Sequence, residues 1–300
     1  MKKSSTLIER ACESVPDFRE LYLKLKRSVE LSGKSQSTLT NYARCLSHVA
    51  LHFNCSPLDL DEEQVLDYLH VLKSRNKTPS SSFFKHTVYG LRYAYRICNC
   101  KEMQVMLPSI ERPKKLPVVL SFREVKQLLK APKLLKHRLV LALLYGCGLR
   151  CFELCNLHVK DFDFDRMMLH VRQGKGRKDR YVPLSKMQVR GLKNYLAAEN
   201  PSVWCFTGNT SEGKAVPLST QGVRWIVSEA RKHSGIRKQV TTHSLRHSYA
   251  THLLEMGLDI MSVKDLLGHA DIQTTLTYLH VAQLGRQKPF SPLDKLYKQD

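Results

Sequence analysis

The segment "LPSIERPKKLP", from Leu107 to Pro117, constrains this chain more than any other stretch. Pro108, Pro113 and Pro117 remove backbone donors and push their predecessors toward extended conformations. No helix or central strand can run through it. The 300-residue chain therefore divides into residues 1–106, a linker over 107–119 and residues 120–300. Each larger part is long enough to bury a core of its own.

On either side the apolar periodicity differs. "DFRELYLKLKRSVELSG" sets Phe18, Leu21, Tyr22, Leu25 and Val29 on one stripe ending at Gly33, and "SQSTLTNYARCLSHVALHF" repeats the pattern. "DEEQVLDYLHVLKSR", with an acidic first turn, and "PSSSFFKHTVYGLRYAYRIC" complete four expected helices of an all-α first domain. Beyond the linker, Ser121 with Glu124 forms a capping-box pattern. "RLVLALLYGCGLRCFELCNL" reads as a buried helix interrupted at Gly146 and Gly148. "MMLHVRQGKGRKDRYVPL" reads as two strands around a glycine turn, and helices return from Thr220. The fold class is mainly α with a small β-hairpin or sheet.

Charge narrows the partner. There are 48 Lys plus Arg against 27 Asp plus Glu, a formal net of +21. Up to Leu116 the counts are 19 and 12, and beyond it 29 and 15, so the excess is shared by both parts. Such a field favours a polyanion, nucleic acid above all, against the plainer reading of a generally basic protein. The linker, with Arg112, Lys114 and Lys115, is either a solvated spacer or a strap along a phosphate backbone.

Nine scattered cysteines without a CxxC pair point to reduced thiols in the cytoplasm. Cys147, Cys151 and Cys155 would share one helix face as packing residues, since thiols one turn apart on one helix cannot close around a tetrahedral ion. No leader-like or membrane-spanning apolar run is apparent. Neither a metal nor a cofactor is expected.

Four islands in the second part carry unusual polar residues. In "GCGLRCFEL", Arg150 is followed at helical spacing by Glu153. The pair is either structural or a phosphate fork oriented by a carboxylate. In "QGKGRKDR", Lys175 tips a hairpin that is either a solvated turn or a ligand-approaching tip with a proton donor. In "HSLRHSYATHLL", His243 and Arg246 face the same way. In "GHADIQTTLTYLH", His269 and Tyr278 are nine residues apart, which requires a turn or kink between them. Singly, each residue reads as structural. Together they suit one phosphodiester: arginines to neutralise charge, a tyrosine nucleophile and a lysine to protonate the leaving oxygen.

"GLRCFEL", "GKGRKDRYVPL", "HSLRHSYATHLL" and "LLGHADIQTTLTYLHV" match, in order and spacing, motifs of the tyrosine recombinases, the phage-integrase family. The second part resembles Xer-like members from Ser121 to about Val281. The resemblance implies a helical core-binding (SAM-like) domain and an α+β catalytic domain closing on DNA as a C-shaped clamp. It implies that Arg150, Lys175, His243, Arg246, His269 and Tyr278 are catalytic and that Glu153 supports them. The implied activity is site-specific recombination or integration through a 3′-phosphotyrosine and a Holliday junction. Its partners would be double-stranded recombination sites, a dimer on each and a homotetramer on two duplexes, with no membrane and with the nucleoid as the location. Candidate DNA contacts are Lys85, Arg92, Arg96, Lys114, Lys115, Arg177, Lys178 and Arg180. Leu279 stands where a threonine is common, and the tail after Val281, implied to exchange between protomers, is idiosyncratic. A type IB topoisomerase and a non-catalytic DNA-binding factor are the alternatives, although the second should lack a pocket residue and none is missing.

Overall fold

The computed structural model describes residues 6–74, 81–110, 116–172, 179–208, 215–279 and 281–282. The chain divides into two compact units, Met1–Pro113 and Lys114–Asp300.

Among the described residues, the first unit is all helical: α1 (Leu7–Ser14), α2 (Phe18–Leu31), α3 (Gln36–Phe53), α4 (Glu62–Ser74), α5 (Ser81–Ile97) and α6 (Lys101–Val105). The stripe expected on α2 is buried at Phe18, Leu21, Leu25 and Val29, and α3 buries Leu39, Ala43, Leu46, Val49 and Ala50 against it. Two helices, α1 and α6, are additional to the four expected. Both are shorter than the window over which apolar periodicity identifies a helix, and α1 is held by the Thr6–Glu9 capping box. The start of the proline-rich segment is not free. Leu107 is buried in this core, and Arg92 on α5 donates to the carbonyls of Leu107 (3.2 Å) and Pro108 (3.1 Å).

The second unit opens with α7 (Phe122–Lys130), whose Ser121–Glu124 capping box forms as read. The buried helix α8 (Leu135–Gly146) ends where expected, and α9 (Cys151–Cys155) follows after a short break. Gly148 sits in that break at φ +58°, and a side chain there would collide with the Tyr249 ring. The break also corrects the cysteine reading: Cys147 precedes it, so the three thiols do not line one helix. Next come β1 (Phe162–Asp163), β2 (Met168–Val171) and β3 (Arg180–Pro183), an antiparallel sheet in that order with Val171 opposite Arg180. Helices α10 (Lys186–Glu199), α11 (Thr220–Ser234), α12 (Thr242–Glu255), α13 (Ile260–Leu267) and α14 (Gln273–Leu279) complete the unit. Leu139, Val140, Leu141, Leu143, Leu144, Leu149, Leu154, Leu169, Val182, Val223 and Leu245 share its main core. Among the described residues, no helix is long and apolar enough to cross a membrane.

Candidate active site

The site is built around one buried carboxylate. The break after α8 places Arg150 at the N-terminus of α9, and Glu153 reaches back to accept from the Arg150 backbone N–H (2.8 Å) and from its Nη1 (2.7 Å). Arg180 on β3 completes the arrangement with a fork, donating Nη1 to Oε1 (2.9 Å) and Nη2 to Oε2 (2.8 Å). Arg246 Nη1 lies 4.0 Å from the same carboxylate. Burial alone would push Glu153 up, but Arg180, through hydrogen bonds and charge, and then Arg150 hold it down at about 2.

The same three arginines converge on the end of α13. Arg180 Nε donates to the Leu266 carbonyl (2.8 Å), Arg246 Nη2 to Leu267 (2.6 Å) and Arg150 Nη2 to Gly268 (3.3 Å). These carbonyls belong to the last turn and cap of a helix, where acceptors lack intrahelical partners and carry the negative end of the dipole. Arg246 is fixed further by the Gly148 carbonyl (2.5 Å). Burial, then the Arg150 charge, pushes Arg246 down, while Glu153 opposes the shift. Gly268 caps α13 at φ +62°, and the Arg180 side chain packs 3.1 Å from where a Cβ would stand.

This cap is the turn that the nine-residue spacing required. After it, α14 returns so that Tyr278 faces His269, the ring centroids 6.2 Å apart. The Tyr278 side chain is 3% exposed, among Tyr249, Leu254, Val263 and Leu267. Burial raises its pKa, with Arg246 and then Arg150 opposing. His269 Nδ1 is 2.9 Å from Thr275 Oγ1. His243 stands at the first turn of α12 with one side open, and partial burial of its ring, then Arg246 and Arg150, lowers its pKa. Arg150, His243, Arg246, His269 and Tyr278 therefore gather around one locus.

Lys175, Arg177 and Lys178 lie outside the described residues, as do Lys114 and Lys115. The strands flanking the Lys175 segment are paired. Arg180 departs from its expected role as a DNA contact. Its side chain is 8% exposed and its guanidinium is occupied by Glu153 and Leu266. It braces the site. Arg92 likewise spends its guanidinium on backbone carbonyls, whereas Arg96 is exposed, 4.7 Å over the Tyr93 ring, and Lys85 is half-buried.

One functional candidate went unseen in the sequence. His247, on the turn of α12 after His243, places Nδ1 3.1 Å from the Tyr278 hydroxyl. Burial, then His243 and Arg246, pushes His247 down to about 4. The signal was its position four residues after His243, on the same helix face.

A cradle of arginines beside a buried tyrosine suits the binding of one phosphodiester. Residues 118–284 match the phage integrase family, and the chain belongs to it. A tyrosine recombinase XerA from Pyrococcus furiosus is 38% identical over 256 residues, covering 84% of this chain and 86% of that protein. A crystal structure of XerA recombinase, 26% identical, superposes with a TM-score of 0.54 over 91% of this chain and 99% of the other. A lambda integrase dimer bound to a COC′ core site shares the fold at 20% identity, with a TM-score of 0.67 over 90% of this chain and 97% of that one. The protein is a site-specific DNA recombinase.

Proposed function

We propose that Tyr278 Oη attacks the scissile phosphate of a recombination site, forming a 3′-phosphotyrosyl bond and releasing a 5′ hydroxyl. A 5′ hydroxyl of the partner duplex then reverses the step, and two such exchanges pass through a Holliday junction. The carrying observation is the placement of Tyr278 where the charges of Arg246 and Arg150 act on its hydroxyl. Arg150 and Arg246, held in place beforehand by Glu153 and by the carbonyls of Gly148, Leu267 and Gly268, bring their charge and remaining N–H donors to the non-bridging oxygens. His243 and His269 add hydrogen bonds, and Lys175 gives the leaving 5′ oxygen its proton. The phosphotyrosyl bond conserves the energy of the broken phosphodiester, so rejoining needs no nucleotide.

Lys175→Ala is expected to slow cleavage of an ordinary phosphodiester by about 10²–10⁴-fold, the usual worth of a general acid. A substrate with a 5′-thio leaving group needs no such acid and should be cleaved nearly as fast as by the unaltered protein. Equal losses on both substrates would remove Lys175 from that role.

Residues 1–106 supply a DNA-binding domain, 107–119 the connection and 120–300 the catalytic domain. Arg96, Lys85 and the basic segments around Lys114 and Arg177 contact the duplex. Two dimers, one per site, pair as a tetramer through tails exchanged after Val281. Light scattering of the complex on two duplexes should give a mass of four chains, and a mass that stays at two would reject the tetramer.

A further inference from the structure

A tyrosine nucleophile must lose its proton as it attacks, and the phenol here is poorly placed to lose it unaided. An ordinary tyrosine titrates near about 10, and burial raises Tyr278 above its usual value. Some neighbouring atom has to take the proton in the same step.

The three imidazoles near Tyr278 differ in their access to it. His243 is exposed and its ring centroid is 6.2 Å from that of His247, one turn farther along α12. His269 lies beside the Tyr278 ring with Nδ1 directed to Thr275 Oγ1. His247 has a ring nitrogen at hydrogen-bond distance from Oη, at 3.1 Å, within the reach a general base needs.

We propose that His247 is a catalytic residue, the base that accepts the Tyr278 phenol proton during strand cleavage. The assignment rests on Tyr278 being the nucleophile. The Oη–H bond breaks as Oη bonds to phosphorus, and the proton passes to His247 Nδ1. The P–O5′ bond breaks and its oxygen takes a proton from Lys175. On rejoining, the incoming 5′ hydroxyl gives its proton to Lys175 as its oxygen bonds to phosphorus, the P–Oη bond breaks, and His247 returns the proton to Oη.

Electrostatics of the pocket support the assignment. Burial and the neighbouring His243 and Arg246 keep His247 neutral. In the neutral tautomer that carries its proton on Nε2, the Nδ1 lone pair accepts from the Tyr278 hydroxyl. A phosphodiester seated against Arg246 brings a negative charge that offsets that cation and makes His247 a stronger base. Base strength would thus rise when substrate is in place.

Single-turnover cleavage of a nicked suicide site by the full chain tests this. His247→Ala should cleave about 10²–10⁴-fold more slowly with its gel-shift affinity intact. Added imidazoles should restore part of the rate, the more basic ones restoring more. His247→Asn, which can still accept a hydrogen bond but not a proton, should be equally slow. Wild-type cleavage by His247→Asn would reduce His247 to a hydrogen-bonding prop, and unchanged or faster cleavage by His247→Ala would make it a restraint on Tyr278. Either result overturns the assignment. If His247→Ala fails to fold, His247→Asn decides the question. Absence of any adduct with the unaltered protein on the same DNA would instead defeat the reading of Tyr278 as nucleophile.

Discussion

Tyr278→Phe is expected to abolish every covalent protein–DNA adduct on a nicked suicide site while leaving duplex binding intact. Phenylalanine keeps the ring that packs against Tyr249, Val263 and Leu267, so the local core is retained. What disappears is Oη, with its hydrogen bond to His247. Leaving one partly buried acceptor unpaired costs about 1–3 kcal/mol, too little to unfold a domain of ordinary stability. The chemical loss is of another order, because Tyr278 Oη is the atom proposed to form the link to phosphorus. The unaltered protein should give an SDS-resistant adduct that maps to the peptide containing Tyr278 and leaves a free 5′ hydroxyl. An adduct that persists in Tyr278→Phe would move the nucleophile elsewhere and end the proposed mechanism.

Much of this arrangement was legible because its parts are contiguous. The Ser121 cap, the break at Gly146–Gly148, the paired strands around the glycine turn and the helical spacing of His243 with Arg246 each lie within a few residues. Their convergence on one phosphodiester was legible through the company the residues keep, but the network that fixes it was not. Arg180, Arg246 and Arg150 meet at the carbonyls of Leu266, Leu267 and Gly268 across sequence separations that no local pattern encodes. Arg180 was misread because it ends the run "GKGRKDR", which looks like a uniformly solvated turn. The overlooked signal is strand alternation. Arg180 and the buried Val182 share a face of β3, while Tyr181 and Pro183 point outward. Helices α1 and α6 escaped notice for a simpler reason, being shorter than the window over which apolar periodicity identifies a helix.

The reassignment of Arg180 leads to the second large effect. Arg180→Ala leaves Glu153 buried with Arg150 as its remaining close partner and leaves the Leu266 carbonyl without its donor. Breaking a buried ion pair by deleting one member costs about 3–5 kcal/mol. For a unit of this size that is a fall in melting temperature on the order of 10 °C. Cleavage should fall as well, since Arg150 and Arg246 lose the carboxylate geometry that orients them. Arg180→Lys should rescue neither loss, because an ammonium cannot supply a fork to Glu153 and a third donor to Leu266. The pH dependence has a definite sign. Glu153 is held at about 2 in the folded protein, against about 4.3 in an unfolded chain. Its ion pairing therefore stabilises the fold above about pH 4.3 and is lost as pH falls toward 2. The stability gap between the unaltered protein and Arg180→Ala should be widest near neutrality and narrow across that acid range. If Arg180 were a surface contact to DNA, Arg180→Ala would leave the melting temperature unchanged and only flatten the salt dependence of binding. Thermal melts across pH together with a salt titration of duplex affinity separate the two outcomes.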